Sequence, residues 1–416
     1  MSQVADVGPG ARAGPDPELS ADRDAERSWS IGLLSVDIYF FWASLYLFVP
    51  ILSVYAKALG ASLSMVGLII GSYGLTQLIV RIPMGMLSDR LGRRKPFVTL
   101  AFVMTGISVL GLAWSPNPTW LLVFRGLTGL SAATWVTTTV LYSSYFAHER
   151  SVRAISFATF FQGVAMVMAT AAGGALADAY GWTSTFYLAL IPAGLGVLLS
   201  LFLIEDVTVR EPRPFSWVEF KHMRGIGLLL IVSALACVTQ YANYATTFGF
   251  VPIYGETLGA SPTQLGWLST AVLLPYALAA LASARLADRV GERVLLTGGL
   301  VIMGLTSAGI PFINSVPVLI GSRVLYGIGA GLSFPVMMGL SIKHIDSEHR
   351  ALAMGFFQAV YAVGMFLGPT LSGVLADVLG MGGMFYIVGV LCLGAAVVTV
   401  RLLQNSRNDS RSRVSA

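Results

Sequence analysis

From Trp29 onward the chain alternates long apolar stretches with short polar breaks, and a stretch of about 20 apolar residues is what a helix needs to cross the hydrocarbon core of a bilayer. Twelve such stretches lie at about 30–54, 64–88, 95–115, 118–141, 153–177, 184–204, 226–252, 263–287, 293–313, 316–340, 350–376 and 383–403, numbered here as spans 1 to 12. The expected fold is all-α and integral to the membrane. Composition agrees: 55% of residues are hydrophobic and 11% charged, where soluble domains carry about 25% charged residues. That balance excludes an intrinsically disordered chain. Two cysteines, Cys237 and Cys392, both inside apolar stretches, exclude a disulfide scaffold and read as small buried hydrophobes.

Lys and Arg distinguish the two faces, because short cytoplasmic loops hold them preferentially. The loops after spans 2, 4, 6, 8 and 10 carry fifteen: Arg90, Arg93, Arg94, Lys95; Arg150, Arg153; Arg210, Arg213, Lys221, Arg224; Arg285, Arg289, Arg293; Lys343, Arg350. The loops after odd-numbered spans carry one, Lys57. Both termini are therefore expected in the cytoplasm, at a cell membrane. The same bias accounts for the net charge of +5 without a nucleic-acid partner. Residues 1–29, rich in Pro, Gly, Ala, Asp and Glu with no apolar core, read as a disordered cytoplasmic tail rather than a cleavable signal. Residues 405–416 read as a second cytoplasmic tail.

The chain also repeats itself. Leu59, Gly60, Ala61 and Ser62 recur 199 residues later as Leu258, Gly259, Ala260 and Ser261, and Leu87, Asp89, Arg90 and Gly92 recur as Leu286, Asp288, Arg289 and Gly291. Leu176, Ala177 and Asp178 recur as Leu375, Ala376 and Asp377, while Arg125 and Gly129 match Arg323 and Gly327. Residues 30–204 and 226–404 are thus expected to be two pseudo-symmetric six-helix halves. A linker, 205–225, joins them; it holds Pro212, Pro214, Phe215 and Trp217, aromatics suited to the membrane surface. Parallel six-helix halves related by an axis along the membrane normal are an architecture in which a midplane site opens alternately to each side as the halves rock.

The loop after span 2 reads GMLSDRLGRRK, from Gly85 to Lys95, and at this point the sequence resembles the major facilitator superfamily over nearly all of residues 30–404. Gly85 permits close helix packing and Gly92 a tight turn. The resemblance implies that Asp89, with Arg90 and Arg93, gates the halves; the plainer reading of the arginines is topology alone. ARLADRVGERV after span 8 is the second copy, which makes Asp288 a further gating candidate. RGLTGLSAA from Arg125 looks like the family's second signature, in which the Arg of exporters is associated with proton coupling. Span 11 keeps Gly364, Gly368, Pro369 and Gly373 of an exporter signature, whereas span 5 has Ala169 and Thr170 at its Gly and Pro positions. No sugar-importer signature follows span 6.

Four charges lie inside spans: Asp37, Arg81, Arg125 and Arg323. A charge at membrane depth is costly unless it faces the interior and finds partners, so each is a functional candidate. Asp37, the one embedded acid, is the candidate proton carrier with Arg125 beside it in the coupling; linkage between them could be direct, or through water or substrate. A wet vestibule near the cytoplasmic face is the competing reading of Asp37. Arg81 is a gate residue or a snorkelling side chain. Polar and aromatic residues at mid-depth are candidates to line a substrate cavity: Trp42, Tyr46, Trp135, Gln162, Gln240, Tyr241, Asn243, Tyr244, Gln358 and Tyr361. Their plainer role is bridging helices. Such a mixed lining suits an amphipathic organic solute.

The four histidines, His148, His222, His344 and His349, fall in even-numbered loops, and no GxSxG, HExxH or GxxxxGK motif occurs. An enzyme and an ATP-driven pump are thereby disfavoured, and no metal or cofactor is expected. A non-transporting sensor is disfavoured by the absence of a sizeable soluble domain. The expected function is secondary active transport of a small organic molecule by a monomer, through proton-coupled efflux; proton-coupled uptake is the alternative.

Overall fold

A computed structural model of the chain describes residues 17–146, 151–205, 225–346 and 349–414. Among them nine helices are long and apolar enough to cross a membrane, and they account for ten of the twelve expected spans, because 11 and 12 run together in Arg350–Val414 and are parted only by the non-helical Gly380. Span 4 is broken at Thr134 into Pro118–Ala133 and Trp135–Ser144. Span 9, Glu292–Ala308, is 17 residues long. The basic residues Arg150, Arg210, Arg213, Lys221 and Arg224, with Pro212, Pro214, Phe215, Trp217, His148 and His222, lie outside the described residues.

One boundary departs from expectation. The first helix begins at Pro17, inside the segment read as a disordered tail. The described helix covers Glu-Leu-Ser-Ala-Asp-Arg-Asp-Ala-Glu-Arg, a stretch without a breaker. Span 1 then breaks after Tyr46 and resumes as Val49–Ala58, since Pro50 has no N–H to give and its ring clashes with the carbonyl four residues back. Span 7 changes register too, from Ile226–Asn243 through a π-helical turn, Tyr244–Phe250, into Val251–Thr257; such bulges concentrate at functional sites.

The repeated Leu-Gly-Ala-Ser sequence has a concrete use in both halves. Gly60 and Gly259 take φ of 89° and 84°, open to Gly at little cost, and turn the chain out of one span. Ser62 and Ser261 then cap the next, accepting from Met65 N at 3.2 Å and Gln264 N at 3.4 Å. A Ser cap of this kind is worth about 1 kcal/mol.

Where the halves meet is decided by glycine. Gly67, Gly71 and Gly74 on span 2 press on Pro369, Phe366, Thr370 and Met365 of span 11, and Gly174 on span 5 meets Gly266 on span 8. Small residues allow backbones to approach closely where lipid offers no hydrophobic drive to associate. These seams lie toward the face of the odd-numbered loops, hereafter the odd face. Span 2 is almost continuously buried from Val66 to Gly74 but largely exposed or half-exposed beyond Leu78, and span 8 repeats the pattern either side of Val272. The halves therefore close on the odd face and part toward the even one.

A Cβ at position 266 would sit 2.7 Å from the Thr170 carbonyl oxygen and 2.9 Å from Gly174 Cα, whereas one at 106 meets nothing within 4 Å. Gly266→Ala is expected to lower the melting temperature in detergent through a loss of about 1–3 kcal/mol, and Gly106→Ala to leave it unchanged or raised; scanning fluorimetry of the two variants checks the pair.

Candidate functional site

Between the seams the two halves bring together a layer of rings around one cation. Arg125, 3% exposed, places its guanidinium carbon 4.5 Å from the centre of the Tyr73 ring and 5.8 Å from that of Phe48. Tyr73 stacks across the interface on Tyr244 at 6.3 Å, and Tyr46 meets Phe248 edge-on at 5.9 Å. Arg125 reaches Thr128 Oγ1 at 3.4 Å, and its Nε has no hydrogen-bond partner among the described residues. Its charge is met by aromatic faces and neutral phenols, an arrangement that stabilises a cation by about 0.5–2 kcal/mol. Arg323, the repeat-related arginine, is likewise buried, 4.9 Å over Tyr326 and bonded to the Thr306 carbonyl at 3.0 Å.

Further toward the even face the cleft carries polar groups from both halves. Arg81 donates through Nη1 to Gln358 Oε1 at 3.2 Å and Tyr361 OH at 3.4 Å, and through Nη2 to Gln77. Arg81 thus bridges the halves rather than snorkelling. Tyr73, Gln77 and Arg81 follow each other at intervals of four, one face of a helix, and that spacing is the signal through which Tyr73 and Gln77 could have been found. Trp42 stands edge-on to Trp135 at 5.3 Å and beside Tyr46 at 5.8 Å. On span 7, Asn243 donates to Gln240 at 3.4 Å, both half-buried.

Other expected cavity residues sit elsewhere. Tyr241 packs its backbone against Gly364 and Gly368 of span 11 and receives a bond from Ser372 at 3.1 Å, so it knits two helices of one half. Gln162 is half-buried on span 5, and the two repeat-related glutamines therefore differ, since Gln358 is held by Arg81.

Asp37 is 1% exposed and lies inside the first half, in a small cavity lined by Leu34, Ile38, Phe41, Val98, Ala101, Phe102 and Thr138. Neither carboxylate oxygen has a hydrogen-bond partner among the described residues, and Arg125 does not pair with it. The wet-vestibule reading does not describe this position.

The expected gating loop touches its own half. Asp89 pairs with Arg94 Nη2 at 3.2 Å, a Cβ added at Gly85 would make only ordinary contact with Val136 of span 4, so the close packing expected there is not what requires glycine, and Gly92 ends the helix at φ 62°. Arg90, Arg93 and Asp288 are exposed. Carboxylate contacts between the halves instead occupy the odd face: Lys57 to Glu256 at 3.6 Å, Asp178 Oδ2 to Thr263 Oγ1 at 2.6 Å, and Asp377 to Leu63 N, Ser64 N and Ser64 Oγ at 3.2, 2.8 and 2.5 Å. The Ser64 hydroxyl, followed by the Ser64 and Leu63 amides, holds the Asp377 carboxyl below its ordinary pKa against the opposing effect of partial burial. Its contribution is therefore present above the ordinary value and is lost only as pH falls through the lower folded-state one.

Two outcomes follow. Arg125 has no carboxylate to lose, so Arg125→Met, similar in volume, is expected to raise the melting temperature, because an unpaired buried charge gives way to a packed apolar group. Amide exchange at Leu63 and Ser64, corrected for intrinsic rates and followed by mass spectrometry, is expected to stay protected between about pH 7 and 5 and to accelerate only below the ordinary carboxylate range near 3.9.

The sequence profile of the Major Facilitator Superfamily matches residues 38–256 and 234–415. An uncharacterized MFS-type transporter of Methanocaldococcus jannaschii is 24% identical over 392 residues, 89% of this chain and 98% of that protein. A multi-drug resistance efflux pump PmrA homolog of Lactococcus lactis is 30% identical over 178 residues, 41% of this chain and 43% of that protein. Among solved structures, a bacterial homolog of the human lysosomal transporter Spinster, inward-facing and unoccupied, shares the fold with a TM-score of 0.74 at 16% identity, over 93% of this chain and 97% of that one. Two six-helix halves closed on one face, matched over nearly their whole length by one family, place the chain in the Major Facilitator Superfamily as a multi-pass membrane transporter.

Proposed function

We propose that this transporter exports a small organic solute in exchange for protons. Asp37 carries the reading: it is the only fully buried carboxylate among the described residues, and it has no cation or donor to meet its charge. A carboxyl so placed can shed a proton only if the charge left behind finds water, a cation or a new packing. Proton loss and conformational change are linked through that requirement, since a ligand, here a proton, biases two states only by its differential affinity for them. Arg125 is the second member of the coupling, the cation held under Tyr73 and Phe48 of the first half, with Tyr73 stacked on Tyr244 of the second. The solute lies in the cleft between Trp42, Trp135, Gln358 and Tyr361, where rings and hydrogen-bonding groups suit an amphipathic organic molecule.

The excess of Lys and Arg in even-numbered loops supports an orientation with the even face and both termini in the cytoplasm. Residues 30–204 and 226–404 are then the two moving bodies, joined by 205–225, and a single copy of the chain carries out the cycle. In that orientation the structure is closed outward and parted inward, the state in which a cytoplasmic solute is loaded. The kinship with a protein whose name describes an efflux pump supports the outward direction.

In proteoliposomes holding a pH-sensitive dye, an amphipathic solute from a broad panel is expected to drive a proton flux in the opposite sense. Asp37→Asn is expected to reduce that flux to the leak of protein-free vesicles while gradient-free solute exchange continues. Undiminished proton movement in the variant sinks the proposed role of Asp37.

A further inference from the structure

The contacts that close the odd face obey the internal repeat. Asp178 and Asp377 occupy equivalent positions 199 residues apart, at the ends of spans 5 and 11. Each reaches across to the other half: Asp377 caps the start of span 2 at Leu63 and Ser64, and Asp178 takes the hydroxyl of Thr263 at the start of span 8. Ser64 and Thr263 are again 199 residues apart. Lys57 and Glu256, also equivalent by that offset, carry opposite charges and pair with each other at 3.6 Å. A pseudo-two-fold axis brings equivalent positions face to face, so a Lys opposite a Glu forms one bond on the axis and the two aspartates form one on either side.

We propose that these three contacts are the releasable latch of the odd-face gate. The inference rests on the reading that the halves rock, but neither on the coupling ion nor on the direction of transport. The glycine seams behind the latch supply contact area and shape; the latch supplies a polar lock at their rim, where water can replace each bond as it breaks. All three acidic groups are exposed or nearly so, which keeps each contact weak. Both carboxylates lie at a helix N-terminus, the positive end of the helix dipole, Asp377 on backbone amides and a hydroxyl and Asp178 on the Thr263 hydroxyl, so one rigid rotation releases both. Toward the even face the described ion pairs, Asp89 with Arg94 and Glu292 with Lys343, each lie within one half, and the polar crossing there is that of Arg81 to Gln358 and Tyr361, deeper in the cleft and without a carboxylate.

The test is a distance measurement across the odd face. Trp114 and Phe312, 68% and 74% exposed at the ends of spans 3 and 9 in opposite halves, are replaced as Trp114→Cys and Phe312→Cys, spin-labelled, and followed by pulsed electron resonance, with Cys237→Ala and Cys392→Ala removing the native thiols. Asp178→Ala and Asp377→Ala are each expected to raise the long-distance population about two- to fivefold, the ratio an exposed helix-terminus charge supports, and to act multiplicatively together. Asp377→Asn, which keeps one accepting oxygen but loses the charge and the second oxygen, is expected to fall between the parent and the alanine variant. Asp346→Ala, an exposed acid on the even face, is the control. A double alanine variant with the parent distribution overturns the proposal, as does an equal lengthening by Asp346→Ala, which would mean general loosening; the single variants at these exposed positions give the same reading if the double one does not fold.

Discussion

Everything in this molecule depends on how closely two helix backbones can approach inside lipid. Apolar side chains gain nothing by leaving lipid for each other, so helices associate through tight packing and a few polar bonds. Gly67, Gly71 and Gly74 against span 11, and Gly174 against Gly266, provide that packing between the halves. The same contacts have no counterpart beyond Leu78 on span 2. One end of the interface is therefore shut and the other parted, and every polar group between them is sorted by that single asymmetry.

The sorting gives the embedded charges different surroundings. Arg125 lies on the shut side under the rings of Tyr73 and Phe48; Arg81 lies where the seam ends and holds the other half through Gln358 and Tyr361. Asp37 lies in neither place but inside the first half, behind Phe41 and Phe102. A buried cation without an anion and a buried acid without a cation are both expensive to keep. Retaining them apart, rather than as an ion pair, leaves the acid able to change its protonation state without breaking a bond.

Much of this was legible in the residues. Apolar length marks the spans, Lys and Arg mark the loops, and the offset of 199 marks the halves; each is a one-dimensional pattern with a local physical cause. The candidate site was legible in part. Tyr46, Tyr244, Arg125, Arg81, Gln358 and Tyr361 do gather at the interface, because polar and aromatic groups at mid-depth are tolerated where they face protein. Tyr73 and Gln77 were missed, although their spacing with Arg81 announces one helix face. Tyr241 takes the plainer role of bridging helices, for a polar tip on a helix says nothing about which neighbour it meets. The repeat of Asp178 at Asp377 was visible as sequence, but its use was not.

The sequence by itself determined an all-helical membrane fold, its twelve spans and its duplication, since lipid imposes length and apolarity on every spanning segment separately. Only the tertiary structure decided which face is shut, that the loop around Asp89 binds its own half, and that Asp377 reaches Leu63, 314 residues away in the chain. Those are relations between segments, set by packing of surfaces whose complementarity no single stretch contains.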